Sequence, residues 1–195
     1  MNRRNFLSLY GSVLLAGCTA NRSSQEGDSR DTEYPLEVSV TDGKTVSSSE
    51  FGVSVETEVL RSRIDTDQTA RLRISLTNQR DSEMEINTSS GRVFTTVSTQ
   101  THPGLLLVRV DADKTKISDD CWKPPEPERP TESPTVAKYE TIEPGESIRE
   151  EYGVWGHYGN EGCIPTREYT FENHHGFRGS EKLFDWELTV DVREA

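Results

Sequence analysis

Residues 69–77 read TARLRISLT. Ala70, Leu72, Ile74 and Leu76 fall on one side of an extended chain, and Arg71, Arg73 and Ser75 on the other. Side chains alternate across a strand, so this stretch predicts a β-strand with one buried and one solvated face. Asn78-Gln79-Arg80-Asp81 then turns the chain, and Met84 and Ile86 begin a return strand. The same period of two recurs on both sides. Leu36, Val38 and Val40 alternate with Glu37 and Ser39. Phe51, Val53, Val55 and Val59 alternate with Ser54, Glu56 and Glu58. Trp186, Leu188, Val190 and Val192 alternate with Glu187, Thr189, Asp191 and Arg193 at the end of the chain.

Further strands are expected around residues 92–99, around Ile148, Tyr152 and Val154, and around Tyr169 and Phe171. Residues 105–110, LLLVRV, are nearly all apolar, which predicts a central strand buried on both faces. No window carries the i, i+3, i+4, i+7 spacing of an amphipathic helix. The expected fold is all-β: two antiparallel sheets face to face, an immunoglobulin-like sandwich of about 7–9 strands. Two stretches interrupt the alternation. Residues 123–134, KPPEPERPTESP, hold five prolines and predict an extended loop. Residues 153–162, GVWGHYGNEG, predict a glycine-rich loop carrying Trp155, His157 and Tyr158.

The front of the chain has a different grammar. Residues 1–18, MNRRNFLSLYGSVLLAGC, place Arg3 and Arg4 before an apolar run of 11 residues, then small residues and Cys18. A run of that length is too short to span a membrane and reads as a signal peptide. Arg3-Arg4-Asn5-Phe6-Leu7 resembles the twin-arginine export signal, with Asn2 and Ser8 departing from the usual flanks. Leu15-Ala16-Gly17-Cys18 resembles the lipoprotein box. That resemblance implies cleavage before Cys18, lipidation of its thiol, and an outward-facing chain held to the cell membrane by its lipid. Residues 19–33 are polar and aperiodic and read as a flexible tether, with the sandwich domain occupying 34–195. Asn21 and Asn87 each begin a glycosylation sequon.

Composition narrows the function classes. The net charge is −12, with 34 acidic against 22 basic residues, and only 6 of the basic residues are lysine. Such a balance argues against nucleic-acid binding and against adsorption to anionic lipid. Together with the export signal, it resembles the surfaces of proteins from salt-loving archaea. Of three cysteines, Cys18 is taken by the box. Cys121 and Cys163 are expected to form a disulfide pinning the two loops, worth about 4 kcal/mol. Two inert thiols or two metal ligands are the alternatives.

Several motifs share an order with a known family. Residues 70–87 give a strand, an Asn turn and a return strand. They are followed by Ser90-Gly91, by Glu143-Pro144-Gly145-Glu146, and by Tyr169-Thr170-Phe171. This order resembles the immunoglobulin-like family that includes the Bacillus intracellular proteinase inhibitor, although Thr166-Arg167-Glu168 replaces the glycine of the last motif. The resemblance implies the fold and raises protease inhibition as an alternative activity.

Signals for chemistry are sparse. His102, His157, His174 and His175 lack zinc or blue-copper spacing, and adjacent His174 and His175 face opposite ways in a strand. Asp111, Asp113, Asp119 and Asp120 lack the glycine and distal glutamate of a calcium loop. No nucleophile elbow, phosphate loop or zincin motif occurs. The expected molecule is therefore a non-enzymatic binding or structural module with no cofactor. Its alternatives are a proteinase inhibitor and a solute- or metal-binding lipoprotein. Trp122, Trp155 and Tyr158 form the candidate surface for a surface-protein partner.

Overall fold

A computed structural model describes residues 34–88, 97–99, 103–126 and 138–195. Readings that fall on residues 1–33 and on His102, including Arg3, Arg4, Cys18 and Asn21, lie outside these. So do most of residues 92–99 and of the proline-rich 123–134.

The described chain is all-β and sandwich-like, with twelve strand segments and no helix. One sheet has four strands in the order β11-β12-β1-β4. These are β1 (Leu36–Asp42), β4 (Arg63–Ile64), β11 (Arg167–Gly176) and β12 (Leu183–Glu194). The second sheet has six in the order β2-β3-β5-β10-β8-β7. They are β2 (Thr45–Ser48), β3 (Val53–Arg61), β5 (Arg71–Asn78), β7 (Val97–Ser98), β8 (Leu105–Arg109) and β10 (Ser147–Gly156). A two-stranded unit joins β6 (Met84–Thr88) to β9 (Lys138–Ile142). Every pairing is antiparallel.

Alternation builds the core. Leu72, Ile74 and Leu76 of β5 are fully buried, as are Val53 and Val55 of β3. They share one apolar cluster with Val38 of β1 and with Trp186, Leu188, Val190 and Val192 of β12. Isolated bridges stitch the elements together: Ile86 of β6 pairs with Phe177 just beyond β11, and Thr99 after β7 pairs with Phe171 of β11. Phe51 packs on Phe177 and Phe184, with ring centroids 5.4 and 6.0 Å away.

The end of β5 is fixed by Asn78, which is completely buried. Its amide Nδ2 donates to the carbonyls of Ser82 and Ile142, and its Oδ1 accepts from the Arg80 N–H. Its main chain pairs with Gly145 and Glu146. The 143–146 turn closes with a Glu146 N–H to Glu143 carbonyl bond of 3.0 Å. Pro144 and Gly145 are its central residues, and Gly145 has φ +74°, a left-handed conformation that glycine adopts without penalty. One buried amide thus joins the β5–β6 turn to the turn entering β10.

The solvent face of the four-stranded sheet is acidic. Glu172 of β11 stands directly opposite Glu187 of β12, and Glu168 opposite Asp191. Like charges facing each other across a strand pair destabilise it, and dissolved salt screens them. The Glu172→Gln variant is therefore expected to be more stable by about 0.5 kcal/mol at low ionic strength. That gain should vanish in molar salt, as read by chemical denaturation at both ionic strengths.

Candidate functional site at the disulfide-tied end

The apolar run of β8 needs cover on two sides. Leu105 and Leu107 face the main core, whereas Leu106 and Val108 face outward and are nonetheless buried. They form a second small cluster with Trp155, and Trp122 packs against it. The register explains this arrangement, since Trp155 pairs with Leu106 and Gly153 with Val108 on the outer face of the sheet.

Residues 153–156 are not loop, as the glycine spacing suggests, but the last four residues of β10. Their glycines serve close packing. A Cβ on Gly153 would stand 2.9 Å from the Trp155 indole nitrogen and 2.8 Å from the Thr69 methyl, so the indole lies back along the strand over Gly153. A Cβ on Gly156 would fall 1.9 Å from the Cys163 carbonyl oxygen. The loop proper begins at His157 and returns directly beneath Gly156.

Cys121 and Cys163 form a disulfide, with Cα atoms 5.5 Å apart. The bridge holds the 121–123 segment over the outer face of β8. Further ties act on the same segment. The Trp122 indole N–H donates to the Asp65 carbonyl at 2.6 Å, and the Trp122 carbonyl accepts from the Gly156 N–H at 2.7 Å. Its ring meets Trp155 edge-on, with centroids 5.3 Å apart, and the Lys116 ammonium lies 4.6 Å above it. Of the three aromatic residues singled out in the sequence, Trp155 is buried, Trp122 half-buried and Tyr158 exposed. The Tyr158 ring lies tilted against the buried His157 ring, with centroids 3.9 Å apart.

Asn160 is central here and carries no sequence signal beyond turn chemistry. Buried Asn160 accepts from the Gly104 N–H and donates to the carbonyls of Gly104 and Cys163. Its own carbonyl accepts from the ammonium of buried Lys123 at 2.9 Å. Only the Gly159-Asn160 turn pair marks the position in the sequence. Arg109, Glu150 and Tyr152 likewise form an inward-facing polar group: Glu150 Oε2 lies 3.3 Å from Arg109 Nε and accepts from the Tyr152 hydroxyl at 3.1 Å.

Among the described residues the histidines and aspartates do not converge. His174 is exposed and lies 2.7 Å from Asp185, while His175 faces the core and stacks near Phe184. His157 Nδ1 accepts from the Gly159 N–H at 3.0 Å. In the acidic loop the Lys116 ammonium donates to the carbonyls of Thr66 and Asp119. Asp111 pairs with Arg109. The Asp120 carboxyl is held below its usual range chiefly by the Ser118 hydroxyl, with a backbone hydrogen bond and Lys116 assisting. No group of three or more metal-ligating residues occurs among the described residues. No protein-family model, curated protein or solved structure matches the chain.

Two outcomes follow. Gly156→Ala is expected to cost about 3 kcal/mol, because the backbone carbonyl that its Cβ would strike cannot rotate away; thermal or chemical unfolding reads this directly. Burial, helped by the neighbouring His174, lowers the His175 pKa from 6.5 to about 4. Between those values the unfolded chain binds the extra proton, so stability falls as pH drops from 6.5 towards 4 and levels off below. His175→Phe should remove roughly 3 kcal/mol of that pH dependence, measured by denaturation at a series of pH values.

Proposed function

We propose that this chain is a lipid-anchored, outward-facing, immunoglobulin-like module that acts by binding and performs no catalysis. The observation that carries this reading is the cysteine pairing. With Cys121 bonded to Cys163, Cys18 is the one cysteine left over, at the end of a short apolar run. Disulfides persist in oxidising compartments, which agrees with export.

The immunoglobulin-like assignment draws on two local features. Tyr169 near the start of β11 is buried, and its hydroxyl donates to the Pro165 carbonyl at 2.6 Å, four residues upstream. Burial pushes that phenol up to about 12. A tyrosine bonded back to the corner before its own strand is a recurrent device of immunoglobulin-like sandwiches. The Asn78 junction with the 143–146 turn is built from turn residues on which the resemblance to the inhibitor family rests; it supports the fold, and protease inhibition is the second reading through that resemblance alone. The facing acidic pairs on the four-stranded sheet support adaptation to strong salt. Tyr158 is the exposed member of the aromatic group and the first place to look for a partner protein.

Replacing Cys18 with Ser should shift the folded domain from the membrane fraction to the medium. Arg3→Lys with Arg4→Lys should leave the uncleaved chain inside the cell. Retention of the Cys18→Ser protein in washed membranes would overturn the anchorage. Titration of an extracellular protease tests the second reading, which fails if a stoichiometric excess slows nothing.

A further inference from the structure

The outer face of the six-stranded sheet is arranged in rows that the strand register sets. In one row Glu58 of β3, Arg73 of β5 and Glu151 of β10 lie side by side. Arg73 bonds Glu58 at 3.0 Å and Glu151 at 2.8 Å, so this row satisfies itself. Two rows from it, Ser54, Thr77 and Ser147 also lie side by side. Thr77 and Ser147 share a hydrogen bond of 2.8 Å, and Gln79 donates to Ser54. The row between holds Glu56, Ser75 and Arg149. Among the described residues, none of these three side chains makes a hydrogen bond or ion pair.

The reason is geometric. Glu56 and Arg149 are two strands apart, about 10 Å between backbones, and Ser75 between them is too short to bridge the gap. The result is a groove of about 540 Å³ lined by Glu56, Glu58, Arg73, Ser75 and Arg149. Its floor is a hydroxyl, one rim a free carboxylate and the other a free guanidinium.

We propose that this groove binds a small zwitterion bearing a carboxylate and a primary ammonium, of the α-amino acid class. The Arg149 guanidinium offers a fork of parallel N–H donors that matches a carboxylate. Glu56 and Glu58 lie two residues apart on the same face of β3 and offer several acceptors to an ammonium. Ser75 can donate to the one group or accept from the other. The ammonium and carboxylate of an α-amino acid sit on one carbon and, each with its hydrogen bond, span about 9 Å, close to the about 10 Å between the β3 and β10 backbones. The two acidic and two basic lining residues cancel, so a neutral dipolar ligand fits better than a net ion. No aromatic ring lines the groove, which removes the usual means of holding a quaternary ammonium. The site stands apart from the anchorage reading, because β3, β5 and β10 form it alone.

NMR titration of the purified protein with L-alanine tests this, at the lowest salt that keeps the chain folded. Acetate and ethylamine, each carrying one of the two charges, serve as separate probes. Saturable shifts at Arg149, Ser75 and Glu56 are expected with L-alanine, and binding at least tenfold weaker with either probe. Arg149→Gln and Glu56→Gln should each weaken L-alanine binding by about tenfold while leaving the unfolding midpoint unchanged. Ser75→Leu, which fills the floor, should abolish it. Shifts that grow linearly without saturation would overturn the site. Acetate binding as tightly as L-alanine would overturn the zwitterion in favour of a simple anion site. Unaltered binding in Arg149→Gln would equally sink the assignment.

Discussion

The two-sided burial of β8 is the constraint on which one end of the molecule is built. A strand whose side chains are apolar on both faces cannot sit at the surface of a two-layer fold, because one face would remain in water. Leu105 and Leu107 are covered by the opposite sheet as usual. Leu106 and Val108 have no opposing sheet, and a short irregular segment covers them instead. Such a segment gains little from ladder hydrogen bonds, so other ties must hold it. The Cys121–Cys163 bridge, the Trp122 indole bond to Asp65 and the Gly156 bond to the Trp122 carbonyl supply them. Gly153 and Gly156 then follow as requirements, since the indole and the returning backbone need the room a side chain would fill.

This dependence also separates what was legible in the sequence from what was not. Strands such as β5 and β12 could be read because a period of two is a local property. Burial of β8 on both faces was legible from the apolar run Leu105–Val108, whereas Val110, read into the same run, is exposed. The identity of the cover was not, because Trp122 comes from a segment made adjacent only by folding. Residues 153–156 read as a loop because glycine usually marks one. Their actual cause, the approach of the Cys163 carbonyl and the Trp155 indole, is tertiary. Asn160 and Asn78 look alike in sequence, as turn residues. Only the structure shows that each satisfies several backbone groups belonging to other segments. The alternation of charge along β3 and β5 was visible. The pairing of Arg73 and the isolation of Arg149 were not, since both follow from cross-strand register.

The two solvent faces handle charge in opposite ways. On the six-stranded sheet, acids and bases alternate across strands, and Arg73 and Arg71 meet Glu58 and Glu151. On the four-stranded sheet, acids face acids at two outward positions of β11, Glu168 and Glu172, separated only by the Thr170–Thr189 pair. Exposed ion pairs contribute little to stability, so the first arrangement is better understood as fixing side-chain positions than as strengthening the fold. The second costs stability at low salt and gains solvation. A chain whose acidic excess were spread evenly would show neither pattern. Acids therefore outnumber bases across the β11–β12 pair, whereas the rows of β3, β5 and β10 are balanced.

That segregation bears on where binding can occur. A ligand or protein meeting the acidic face must carry or recruit cations, and dissolved salt weakens whatever attraction results. The balanced face offers fixed donors and acceptors in register, and its long-range field is small. Recognition there depends on short contacts such as a forked guanidinium, which salt screens least once the groups touch. The same face passes, strand by strand, from the charged rows of β3 and β5 to the covered apolar patch of β8. The disulfide-tied segment thus closes off the apolar part of the sheet and leaves the polar part open. A sandwich that exposed both would present a continuous surface suited to association with itself. With the patch sealed, Glu56, Ser75 and Arg149 remain as the accessible polar feature of that sheet with the fewest internal obligations.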